Sequence, residues 1–115
     1  MKEIKFRVWD IIAKKMYKWP IDIDFWIGTK GCILQQYIGM SDNLGQDIYE
    51  GDIIESLPSA NVAMEGLKNY IVYYDFPEFK LNTIDGTPFG GIGLRYMRIF
   101  GRVVGNVYEN PELIK

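Results

Sequence analysis

Five carboxylates crowd one short stretch of the chain: Asp42, Asp47, Glu50, Asp52 and Glu55, with no Lys or Arg among them. Oxygen donors at that density are what Mg²⁺ or Ca²⁺ requires. Their order departs from the EF-hand loop, whose ligands fall at fixed alternate positions ending in Glu. The plainer reading makes Gly51-Asp52 the entry to a strand, with Tyr49 packed and Glu50 solvated. A second pair, Asp22 and Asp24, flanks Ile23. Alternation puts both on one strand face, and acid–base or glycosidase chemistry would need them at a set separation across a cleft. A solvated strand face is simpler, so neither group is assigned as catalytic or as a metal site.

The third candidate is basic. No acid occurs between Asp85 and Glu109, while Arg95, Arg98 and Arg102 all do, interleaved with Tyr96 and Phe100. Cations that meet phosphates and rings that stack on bases are the means of single-stranded nucleic-acid binding. Three arginines make a small footprint on a chain of net charge −2, and solvated strand arginines are the plain alternative. The glycines Gly90, Gly91 and Gly93 match neither phosphate-binding fingerprint and read as a loop.

Other chemistry is removed by composition. The 115 residues contain no histidine, which excludes Ser-His and Cys-His nucleophilic pairs and every His-containing zinc site. The single cysteine, Cys32, opens an apolar run and reads as a structural thiol. The N-terminal residues lack the apolar core of a signal peptide, and no apolar run reaches membrane-spanning length. A reducing cytoplasm with no membrane contact, and no cofactor, is the expectation.

Aromatics at 15% and twelve glycines lean toward short strands joined by tight turns, in one domain over 1–115. Ile4, Phe6 and Val8 alternate with Lys5, Arg7 and Trp9 as a half-buried strand. The residues from Asp10 to Lys15 read as a turn into Met16 and Tyr17. Ile21, Ile23, Phe25 and Ile27 alternate again, predicting a second strand joined by a Gly28–Gly31 hairpin to its partner over 32–38. Residues 41–45 form a turn in which Gly45 supplies positive φ, and Gly51 bends the chain between two strand pieces. A short helix is expected over 59–69, strands at 70–74, 79–81, 96–100 and 103–104, and a loop over 86–93. Asn110-Pro111-Glu112 starts a last helical turn. The architecture expected is a mainly-β, small barrel-like or sandwich domain of short antiparallel strands with little helix.

Three segments read together as one family: Lys5-Phe6-Arg7-Val8-Trp9-Asp10 with Lys15-Met16-Tyr17; residues 34–45 running into Asp47-Ile48-Tyr49-Glu50-Gly51-Asp52-Ile53-Ile54; and Val104-Gly105-Asn106-Val107-Tyr108-Glu109-Asn110-Pro111-Glu112-Leu113. The chain resembles the YopX family of phage and prophage proteins. The resemblance implies a small mainly-β fold and a phage or prophage setting, and it supplies no catalytic residue.

A binding protein is therefore expected, not an enzyme: an interaction module whose partner is another protein or a second copy of itself. The acidic segment 42–55 and the basic segment 95–102 can meet within one chain or between copies. Asp47, Tyr49, Glu50, Asp52, Tyr108 and Glu109 form the expected interaction surface, with Trp9, Trp19 and Trp26 as aromatic support. Nucleic-acid binding through Arg95, Tyr96, Arg98, Phe100 and Arg102 is the alternative. A divalent-metal enzyme built on the carboxylates is the third.

Overall fold

The structure, a computed structural model, describes residues 4–56, 68–75, 78–83 and 101–114. The first alternating stretch forms strand β1 (Phe6–Asp10), which folds back onto β2 (Lys15–Tyr17). The turn between them is held by the Asp10 carboxylate, which accepts the backbone N–H groups of Ile12 and Ala13 at 3.0 Å each. Strand β3 (Cys32–Ser41) lies on the other side of β1, and β4 (Asp47–Tyr49) completes a sheet of order β2-β1-β3-β4. A second sheet has the order β7-β6-β5-β8, from β5 (Asp52–Ser56), β6 (Lys68–Asp75), β7 (Glu78–Thr83) and β8 (Gly101–Asn106). Every pairing is antiparallel.

The two sheets share one core. Ile38 and Ile48 of the first meet Ile54, Tyr70, Val72 and Leu81 of the second, with Met40, Phe79 and Val103 packed at the edge. Burying each large aliphatic side chain stabilises the fold by roughly 1.5–3 kcal/mol. Among the described residues no helix is long and apolar enough to cross a membrane.

The mainly-β expectation is met, but one strand is not. Residues Ile23–Trp26 form a short helix, α1, because the Asp22 carboxylate caps it by accepting the Phe25 N–H at 3.3 Å. An N-cap offers the backbone a helical start that outweighs a four-residue alternation. The Trp26 ring then rests on Tyr17 with centroids 4.8 Å apart, while Phe25 and Ile27 stay exposed. Residues 28–31 accordingly join a helix to a strand and are no hairpin, and β3 pairs with β1 and β4. Asp22 and Asp24 thus share a helix start, not a strand face. Of the helix expected over 59–69, Lys68 and Asn69 belong to β6. The remainder, the 86–93 loop and the 96–100 strand lie outside the described residues.

Candidate functional site

Strand β4 passes to β5 through Glu50 and Gly51, and this corner is where the sheets are joined. The Gly51 N–H donates to the Val72 carbonyl at 2.7 Å, and its own carbonyl accepts the Val107 N–H at 2.9 Å. Gly51 has φ of +85°, and a Cβ there would run into the Gln35 amide. Only glycine satisfies both demands.

Against this corner lies Arg7, reaching in from β1 with 9% of its surface exposed. Its Nη2 donates to Asp52 Oδ1 at 2.6 Å and its Nε to Gln35 Oε1 at 2.7 Å. The guanidinium sits 4.7 Å above the Tyr49 ring. Asp52 Oδ2 accepts the Tyr49 N–H at 2.8 Å. Burial pushes the Asp52 carboxyl up to about 6, against the opposing pull of Arg7 and that N–H. At neutral pH the carboxyl is ionised and paired. Burial, followed by the Asp47 carboxylate, raises the Tyr49 hydroxyl.

The other four acids are distributed, not clustered. Asp42 is buried, its Oδ1 accepting the N–H groups of Leu44 and Gln46 at 2.9 Å and its Oδ2 that of Val103 at 2.8 Å. Asp47 pairs with Lys5 at 2.7 Å. Glu50, expected to be solvated, is half-buried and accepts the Gln36 N–H at 2.9 Å. Glu55 receives Arg102 through both Nε and Nη2, at 2.9 and 2.6 Å. Each carboxylate holds a different joint of the fold. Among the described residues no group of three or more Cys, Asp or Glu is arranged to hold a metal ion.

The acidic and basic segments do meet within the chain, through the β5–β8 pairing and the Glu55–Arg102 pair. Arg102 is the one member of the expected nucleic-acid set inside the described residues, and it is engaged there. Arg95, Tyr96, Arg98 and Phe100 lie outside them. Desolvation and the nearby Asp10 carboxylate push the Cys32 thiol up.

The remaining expected residues, Tyr108 and Glu109, follow the Val107 N–H that bonds Gly51, and the Tyr108 ring edge lies beside that glycine. Asn106 Oδ1 accepts the N–H groups of Tyr108 and Glu109 at 3.0 and 2.8 Å, and its Nδ2 donates to Glu109 Oε1 at 2.8 Å. Asn110 Oδ1 accepts the Asn106 N–H at 3.1 Å, so this side chain ties the turn back and does not cap the helix that follows it. That helix is the 3₁₀ turn Pro111–Ile114. The turn lays the Tyr108 ring on Trp9, with centroids 6.0 Å apart and planes inclined by 22°.

Beside that stack opens a cleft of about 500 Å³, lined by Trp9, Ile11, Lys14, Tyr108, Glu109 and Pro111. Rings and an aliphatic wall give it affinity for apolar groups, and one cation and one anion give it direction. Sequence reasoning missed Arg7, Gln35, Ile11 and Lys14. The signal for the first two was Trp9, which sits on the same strand face as Arg7 and argues that this face is covered too.

A family model described as YopX protein matches residues 20–115. Among curated proteins nothing matches significantly. Among solved structures, protein EF1440 from Enterococcus faecalis aligns over 100% of both chains with a TM-score of 0.72 and 21% identity. That likeness shows the fold.

Proposed function

The chain belongs to the YopX family, and we propose that it works as a phage- or prophage-encoded, non-catalytic interaction module that associates with itself. The observation that carries this reading is the open cleft beside Trp9 and Tyr108, lined on one side by Ile11, with the exposed Ile12 next to it in the same turn. An aromatic-floored recess with apolar residues at its mouth is a surface suited to another polypeptide. Its charged groups are Lys14 and Glu109, the latter held by Asn106, which suits orienting a partner.

Light scattering over a concentration series tests the reading. A mass above that of one chain, reduced in Tyr108→Ala, supports it. A monomer at every concentration, with no protein retained from bacterial lysate, overturns it. The nucleic-acid alternative is separated by fluorescence anisotropy with labelled single-stranded DNA and RNA at low and moderate salt. Salt-sensitive binding abolished by substituting Arg95, Arg98 and Arg102 would move the function to that segment.

A further inference from the structure

Tight turns are ordinarily built from Gly, Asn, Asp, Ser and Pro. The β1–β2 turn is instead Ile11-Ile12-Ala13-Lys14, and Ile11 and Ile12 are 49% and 81% exposed. Ile11 is half covered at the cleft wall and Ile12 lies beside Gly31, yet two such side chains mostly in water at a hairpin tip gain little for the monomer. The tip is also held firmly. Asp10 binds two of its backbone N–H groups, Ile11 N–H donates to the Gly31 carbonyl at 2.8 Å, and Lys14 is kept at a φ of +54°. A tip presented in one conformation loses little entropy when it docks.

The cleft begins where the tip ends, since Ile11 and Lys14 belong to both. A protrusion and a recess on one contiguous patch are what a two-fold contact needs, because each copy must offer both halves. The charges agree: Lys14 and Glu109 line the same cleft with opposite sign. Turning one copy over onto the other brings each lysine to the other copy's glutamate. Glu109 spends only Oε1 on Asn106, which leaves carboxylate lone pairs for that ammonium.

We infer that two copies of this chain join across a two-fold axis, the Ile12 side chain of each seated in the Trp9–Tyr108 cleft of the other, with Lys14 paired to Glu109 of the second copy. This inference rests on the self-association proposed above and adds its geometry. The cleft's 500 Å³ admits the tip as a unit rather than a single methyl group. The shared patch is small, at the low end of specific interfaces (under about 1,200 Å² in total), so the dimer is concentration-dependent.

Sedimentation velocity across a concentration series reads this directly. Wild-type protein should pass from monomer to dimer, and Ile12→Asp should stay monomeric with unchanged circular dichroism. Lys14→Glu alone should weaken the dimer by roughly tenfold or more, and Glu109→Lys alone likewise. The double variant Lys14→Glu/Glu109→Lys should recover dimerisation to within a few-fold of wild type. Glu109→Gln serves as the milder second variant if Glu109→Lys disturbs the turn. A monomeric wild type overturns the inference. A dimer indifferent to Ile12→Asp and both charge reversals also overturns it, while leaving self-association itself standing.

Discussion

Strand β1 begins and ends in opposite circumstances. Near its start Arg7 is a charge placed inside the protein; just past its end Ile11 and Ile12 are hydrocarbon placed outside it. Each reverses the ordinary partition of residues between core and surface. The inner reversal is answered within the chain: Asp52, Gln35 and the Tyr49 ring surround the guanidinium. The outer reversal has no such answer among the described residues. A buried charge has to be satisfied for the chain to fold at all. An exposed apolar tip leaves folding intact and waits for something to cover it, which separates a residue's role in stability from its role in association.

The sharpest way to break this contrast is Arg7→Met, which leaves the Asp52 carboxylate buried without its partner. We expect a loss of about 3–5 kcal/mol in urea unfolding at neutral pH. The double variant Arg7→Met/Asp52→Asn should recover much of that, because asparagine still accepts the Tyr49 N–H without carrying charge. If the double variant is as weak as the single, the carboxylate is not the cause.

Gly51→Ala should come next, at roughly 2–3 kcal/mol, since it combines a left-handed backbone with displacement of Gln35 from Arg7. A loss below about 0.5 kcal/mol, the range of an ordinary surface change, would show that the corner relaxes freely.

Titration gives a subtler test. The Asp52 carboxyl titrates near 6 in the fold and at its ordinary 3.8 when unfolded, so between these values the folded chain holds a proton that the unfolded chain has released. Its contribution to stability is therefore present at low pH and is lost as the pH rises through 6. Wild-type urea midpoints should rise relative to those of Asp52→Asn as the pH is lowered from 7 to 4.5. A gap that does not change with pH would mean burial is not lifting this group.

At the other end of β1, Ile12→Asp should shift stability by less than about 0.5 kcal/mol. Thermal melts at low concentration, where the monomer prevails, check this. A large loss there would make the tip a structural element and collapse the distinction between the two ends of the strand.

Features whose cause is local could be read from the sequence. The 41–45 turn, the Gly51 bend, the strands at 70–74 and 79–81, and the helical start at Pro111 each depend on a few adjacent residues. The departure at α1 has a local cause as well: Asp22 fits an alternation, but its carboxylate caps the helix. The interior network was illegible because its partners lie far apart, Arg7 and Asp52 being separated by 45 positions. Nothing in the spacing of either residue announces the other. The acidic segment looked like one site for the same reason. Its members are neighbours in sequence, and the fold sends them to Lys5, Gln36, Arg7, Val103 and Arg102. Of the expected interaction surface, Tyr108 and Glu109 reach the cleft, while Asp47, Tyr49, Glu50 and Asp52 are engaged in holding the fold.

The pairing of β5 with β8 bears on how the chain is made. The first sheet joins strands that leave the ribosome in close succession, so it can assemble early. Strand β5, with Ile53 and Ile54, waits for residues 101–106 before that flank is closed. Contacts between distant segments form slowly, and an open strand flank is a template for other chains.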